Sequence, residues 1–133
     1  MLGDGRRTGV GSAFTVTRDD GTYVLFTMAA GAEGPATVAA YWACSPAGPW
    51  HGPAGAFTPA LPAAGTAAYN PQAHPELSRG GRVVLSLDDH WLETSAAAML
   101  SRNVSLYRPR FVTGRLGPPR RPPGRGPWSG AWR

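Results

Sequence analysis

At 133 residues the chain has room for one domain or part of one, and its 18 Gly and 14 Pro, about a quarter of the sequence, exclude an architecture of long helices. Its net charge of +5 comes from 13 arginines with no lysine, five of them in the last nineteen residues, so the excess charge belongs to a tail and the rest is close to neutral. No run of ~18 apolar residues is present to span a bilayer, the N-terminus lacks the apolar run of a secretory signal, and the single Cys44 has no internal disulfide partner.

Met1 to Gly11 is Gly- and Arg-rich without periodicity and is expected to be a flexible leader. Ser12 to Thr17 alternates apolar and polar residues, Arg18-Asp-Asp-Gly21 reads as a turn, and Thr22 to Met28 returns as a second strand. After the Gly/Pro loop Ala29 to Pro35, Ala36 to Cys44 reads as a third strand, antiparallel to the second, with Cys44 expected to be a small buried residue. Ser45 to Trp50 reads as a turn followed by an exposed connector, and Gly55 to Thr58 as a short fourth strand at the outer edge.

A second unit begins after the loop Pro59 to Thr66. Tyr69-Asn-Pro-Gln-Ala-His-Pro-Glu-Leu77 is a polar, proline-restrained stretch. As an extended strand it places His74 and Glu76 on one face, and its prolines confine it to a sheet edge or the lip of a cavity. Ser78-Arg-Gly-Gly81 supplies a tight turn and Arg82 to Leu87 the returning strand of a hairpin. In Asp88 to Asn103, Leu92, Ala96, Met99 and Leu100 have helical spacing with Asp88 or Asp89 as a cap, which predicts one short helix. Val104 to Arg115 reads as the last strand, interrupted by Pro109, and residues 117–133 as a disordered Pro/Gly/Arg-rich tail.

The plan is thus all-β: a leader at 1–11, a four-stranded unit at 12–66, an incomplete second unit at 67–116 and the tail at 117–133. Thr17 to Phe26 and Ser78 to Ser86 join the same turn to the same strand at a shift of roughly sixty residues, somewhat above the usual repeat of a β-propeller blade. Two blade-like units cannot close a ring, which takes about four to eight. The competing all-β arrangement is a small antiparallel β-sandwich of the two sheets.

Tyr69-Asn-Pro-Gln-Ala-His-Pro-Glu-Leu77, the strand Val-Val-Leu-Ser-Leu87 and Leu106-Tyr-Arg-Pro-Arg-Phe-Val112 resemble the C-terminal end of an actinobacterial family of five-bladed β-propellers, formerly a domain of unknown function, that includes mycobacterial endo-D-arabinanases. Tyr41-Trp-Ala-Cys-Ser-Pro-Ala-Gly-Pro-Trp50 is similar to the preceding blade, so the resemblance covers roughly residues 10–116. It implies that the chain holds about the last two blades of five and lacks the blades with the main catalytic carboxylates. It also implies a secreted or cell-surface location. The chain departs from the family where Leu87-Asp-Asp-His90 replaces the usual Tyr-Asn-x-Asn.

The candidate substrate-binding residues are Tyr69, Asn70, His74, Glu76, Arg108 and Arg110. His74 is a sugar contact or a hydrogen-bonded structural histidine. Glu76 as a catalytic carboxylate needs a second one about 5 to 9.5 Å away, for which Asp88 and Asp89 are the candidates; a salt bridge to Arg108 or Arg110 is the simpler role. Arg108 and Arg110 share a strand face and offer planar forks to a carboxylate or a hydroxyl. Trp42 and Trp50 are stacking platforms or packing residues. No catalytic residue is assigned, and no zinc spacing, phosphate loop or Ser-His-Asp arrangement is visible, so neither metal nor cofactor is expected.

The function expected from this reading is the C-terminal part of a carbohydrate-active propeller that acts on or binds a furanose-rich cell-surface glycan and is inactive alone. Its partners would be a polysaccharide and either the preceding blades or further copies of itself, with no membrane role. Weak, salt-sensitive nucleic-acid binding by the Arg-rich tail is the alternative from another class. The face bearing Phe14, Val24, Phe26 and Val38 is expected to be left uncovered and to promote self-association.

Overall fold

The computed structural model describes residues 10–29, 36–92, 101 and 104–115. Among the described residues seven strands form two antiparallel sheets: β1 (Val10–Asp19), β2 (Thr22–Ala29), β3 (Val38–Ala43) and β4 (His51–Phe57) in the order 1-2-3-4, and β5 (Thr66–Ala73), β6 (Arg82–Trp91) and β7 (Arg110–Arg115) in the order 5-6-7. The described chain is all-β, as its turn-rich composition requires. Both sheets are meanders, an arrangement shared by propeller blades and by a sandwich.

Turn chemistry sets the hairpins. Asp20 and Gly21 carry φ of 42° and 80°, and Gly80 and Gly81 carry 59° and 72°. Positive φ at both central residues is the type I′ geometry that matches strand twist, which Asp-Gly and Gly-Gly adopt at low cost. Around the second turn Arg79 and Arg82 exchange reciprocal backbone hydrogen bonds of 3.1 and 3.0 Å.

Several boundaries differ from the sequence reading. Val10 and Gly11 belong to β1, and β4 starts at His51 where an exposed connector was expected. Pro53 is accommodated because β4 is an edge strand, and Gly52 absorbs the register shift opposite Ala40 and Trp42 with φ of 137°. Cys44 is exposed, because it lies one residue beyond β3 in the following turn.

Asp88 and Asp89 do not cap a helix: β6 continues through Trp91, since pairing with Thr66 to Tyr69 extends the ladder. Ser101 is helical, whereas Ala96, Met99 and Leu100 lie outside the described residues, as do residues 117–133. The last strand is only Arg110–Arg115; Val104–Tyr107 forms a 3-10 turn, and Pro109, with no N–H to give a ladder, marks the boundary.

The two sheets pack face to face. Val24, Phe26, Val38 and Ala40 meet Ala68, Val83, Leu85 and Leu87 in one apolar cluster, in which Phe26, Leu85 and Leu87 are fully buried. Each of those three contributes roughly 1.5–3 kcal/mol by leaving water. Val24, Phe26 and Val38 are therefore covered by the second sheet, contrary to the expectation of an open face. Phe14 lies on the opposite face, in register with Thr27, and is 57% exposed. Along one side the edge strands β1 and β5 meet, and the Ala73 N–H donates to Thr15 Oγ1 at 3.3 Å. Edge placement of β5 suits its prolines, Pro71 within the strand and Pro75 just beyond it, neither of which can donate to a ladder.

Candidate functional site

Alternation along β6 turns Val83, Leu85, Leu87 and Asp89 toward the first sheet and Val84, Ser86, Asp88 and His90 away from it. The outward face collects most of the polar and aromatic candidates. Tyr69 pairs with Asp88 and Gln72 with Ser86, so Asn70 and Pro71 together oppose Leu87 in a β-bulge. Asn70 takes the left-handed conformation, φ 52°, that such a bulge demands and that Asn tolerates better than most residues. Its amide is thereby aimed across the sheet: Nδ2 donates to Asp88 Oδ2 at 2.9 Å, and Oδ1 accepts from Gln72 Nε2 at 3.0 Å.

His74 is the most constrained of the group. Its N–H donates to the Val84 carbonyl at 2.9 Å, and its carbonyl accepts from the Leu77 N–H at 3.0 Å and from the Ser78 hydroxyl at 2.8 Å. Ser78 Oγ in turn accepts from the Val84 N–H at 3.0 Å, closing the loop onto β6. The chain is not extended here as expected: Pro75, with φ already fixed, opens a 3-10 turn over Pro75–Leu77. That turn still brings His74 and Glu76 together, with Nδ1 to Oε1 at 3.1 Å.

The other ring nitrogen, Nε2, lies 2.8 Å from Ser86 Oγ. A neutral imidazole carries one N–H, and the carboxylate can only accept, so Nδ1 bears the proton and Nε2 accepts from the Ser86 hydroxyl. The ring is flanked by Phe111, centroids 5.2 Å apart at 49°. Glu76 has its pKa held below the ordinary carboxylate value, first by a hydrogen bond from its own backbone N–H; desolvation opposes this, and the contact with His74 adds a lesser lowering effect. Glu76 thus pairs with His74; the expected bridge to Arg108 or Arg110 does not form.

Tyr69 and Phe111 stay 40% and 57% exposed, and Tyr69 meets His90 edge-on at 4.9 Å. Together with Asn70, Gln72, His74 and Glu76 they make a strip in which aromatic rings alternate with planar hydrogen-bonding groups.

Arg110 is spent elsewhere. Its Nε and Nη2 donate to the two oxygens of Asp89 at 2.8 and 2.9 Å, on the inward face, with the Asp89 side chain only 3% exposed. Those bonds hold the Arg110 pKa above its ordinary value, burial opposes them, and attraction to the same carboxylate adds to them. Arg108 precedes β7, is exposed, and does not share a strand face with Arg110 as expected. Trp42 stacks on its cross-strand partner His51 at 4.5 Å, and Trp50 packs against the Leu25, Ala39 and Tyr41 cluster, so both serve the first sheet.

Ser86, which no sequence motif marked, completes a Ser86, His74, Glu76 chain in the order nucleophile, base, orienting carboxylate. Ser86 nevertheless sits mid-strand, paired with Gln72 on one side and Phe111 on the other, so its surroundings offer ladder groups where acyl transfer needs donors aimed at an oxyanion. The chain orients the imidazole for hydrogen bonding. Of the aspartates considered as a second carboxylate, Asp89 faces inward in its ion pair, and Asp88 is held by Asn70. Among the described residues no group of three His, Cys, Asp or Glu side chains is placed to hold a metal.

The sequence model of a family described as Domain of unknown function (DUF5005) matches residues 4–115. No curated protein and no solved structure matches the chain.

Proposed function

The chain belongs to the DUF5005 family, and from that premise and the geometry of the β5-β6-β7 face we propose that it is part of a carbohydrate-active β-propeller, acting on or binding a furanose-rich cell-surface glycan through that face. One observation carries the reading: two exposed aromatic rings, Tyr69 and Phe111, share a sheet face with the fixed planar groups of Asn70, Gln72, His74 and Glu76. Sugars present an apolar C–H face and a rim of hydroxyls, and this strip offers a partner for each. The resemblance of Tyr69 to Leu77 and Leu106 to Val112 to arabinanase propellers points the same way.

The role assigned is recognition. His74 is preorganised as a hydrogen-bonding group, while the main catalytic carboxylates of such propellers belong to blades that these two sheets do not supply. Electrophoresis of the 133-residue chain through gels containing arabinan tests the proposal. Retardation of the wild type that is lost in Tyr69→Ala and Phe111→Ala, with circular dichroism unchanged, is the expected result; equal mobility with and without arabinan would overturn it.

A further inference from the structure

Arg79 and Arg82 face each other at the base of the Gly80-Gly81 turn, and Arg82 lies directly opposite Arg115 across the β6-β7 ladder. Residues that face one another across antiparallel strands project to the same side, with Cβ atoms about 4.5–5.5 Å apart. Val83 is buried toward the first sheet, so alternation turns Arg82 away from it, and Arg79 and Arg115 with it. The three are exposed and form a row across the outward face of the second sheet, at the turn end of the face that carries His74, Ser86 and Phe111.

No carboxylate answers this row. Among the described residues the ion pairs are Arg110 with Asp89 and His74 with Glu76, and Asp88, the other acid on this face, is held by Asn70. Like charges at directly facing positions destabilise a sheet, a cost that a bound anion removes. Arg82, Thr113 and Arg115 also border, with Gly114, an open hollow of about 480 Å³, within the range of roughly 300–1,000 Å³ found for small-ligand sites. Along β7 the exposed ring of Phe111 and the side chain of Arg115 share this face about 13 Å apart, at ~3.3 Å per residue, the reach of a short run of sugars. Building on the glycan reading, we infer that the ligand of this face is an acidic glycan, whose neutral part lies on Tyr69 and Phe111 and whose carboxylate, phosphate-ester or sulfate-ester group lies on Arg79, Arg82 and Arg115. Guanidinium forks donate to such oxygens in pairs, and three of them side by side suit a charged group carried on a chain that crosses the strands.

Isothermal titration of the full chain at constant ionic strength tests it with neutral arabinan, carboxymethylated arabinan and sulfated arabinan of equal length and equal substitution. The charged polymers should bind about fivefold tighter than the neutral one, the sum of contacts that water partly screens, and the preference should shrink as salt is raised. A larger preference for the sulfated polymer would assign an ester anion, and a larger one for the carboxymethylated polymer a carboxylate. In Arg82→Gln and in Arg115→Gln the ratio of charged to neutral affinity should fall toward one, with Arg82→Lys intermediate, since charge without the fork recovers part of the interaction. Arg18→Gln should keep the full ratio, because Arg18 rests 5.6 Å from the centre of the Tyr23 ring on the first sheet. Equal affinity of the wild type for neutral and charged arabinan would overturn this inference and leave the glycan reading standing; binding of the charged polymers alone, lost in Arg82→Gln, would uphold the arginine row and overturn recognition of the neutral sugar. Equal affinity for single-stranded DNA of matched charge, or an equal loss in Arg18→Gln, would reduce the effect to general attraction between a basic chain and polyanions.

Discussion

Arg110 grips Asp89 with two hydrogen bonds, 2.8 and 2.9 Å, on the face of β6 that also carries Leu85 and Leu87 into the core. The pair is a structural clamp at the rim of the apolar cluster. Arg110→Ala strands a buried carboxylate and should cost about 3–5 kcal/mol in urea unfolding, the usual cost of breaking a buried pair. The double variant Arg110→Met with Asp89→Leu should recover much of that loss, because no unpaired charge remains.

Asn70 links fold to site. Replacing it by Ala imposes a left-handed conformation on a residue that resists it, at about 1–2 kcal/mol, and also removes the bond to Asp88. Asn70→Gly should restore most of the stability and none of the bond. Comparing the two by thermal melting and by arabinan retardation separates backbone strain from recognition, and both variants should bind more weakly than the wild type.

The lowered pKa of Glu76 fixes the sign of one pH effect. A carboxylate whose folded-state pKa lies below its unfolded value contributes stability that is present above the unfolded pKa and is lost as pH falls through the folded one. Acid titration of the wild type should therefore show a stability loss below the ordinary carboxylate range that Glu76→Gln lacks. Coincident acid profiles for the two proteins would contradict this.

Gly52 sits where β3 and β4 change register. A Cβ there would lie 2.7 Å from the Ala54 nitrogen and 3.1 Å from the Ala40 carbonyl oxygen, at φ 137°. Backbone atoms cannot move aside as a side-chain tip does, so Gly52→Ala should destabilise by about 2–4 kcal/mol. Gly21→Ala, at a turn where a Cβ meets nothing within 4 Å, should cost only the conformational penalty of about 1–2 kcal/mol.

What the sequence made legible was local. Asp20-Gly21 and Gly80-Gly81 announced both turns, whose I′ type appears in the structure, and Pro71 and Pro75 announced a strand at a sheet edge or the lip of a cavity. Non-local register was hidden. Counting back from the Arg79 and Arg82 pair in an unbroken hairpin puts His74 opposite Leu87, but the 3-10 turn at Pro75–Leu77 removes three residues from the ladder and brings His74 level with Val84. The Ser86 contact follows from that shift. The Asp88 to Trp91 segment was misread because its neighbour's helical spacing outweighed strand pairing that becomes visible only once Thr66 to Tyr69 lies beside it. Asp89 was passed over as a partner of Arg110 for the same reason, since a residue's face is undefined until its strand is known.

The most direct measurement of the glycan reading is nuclear magnetic resonance of the isotopically labelled chain titrated with arabino-oligosaccharide. Concentration-dependent shifts should concentrate on the Tyr69 and Phe111 rings, the Asn70 and Gln72 side-chain amides and the His74 imidazole, leaving the Arg79 to Arg82 turn unmoved. An unchanged spectrum, or shifts confined to that turn and the first sheet, would contradict glycan recognition by the β5-β6-β7 face.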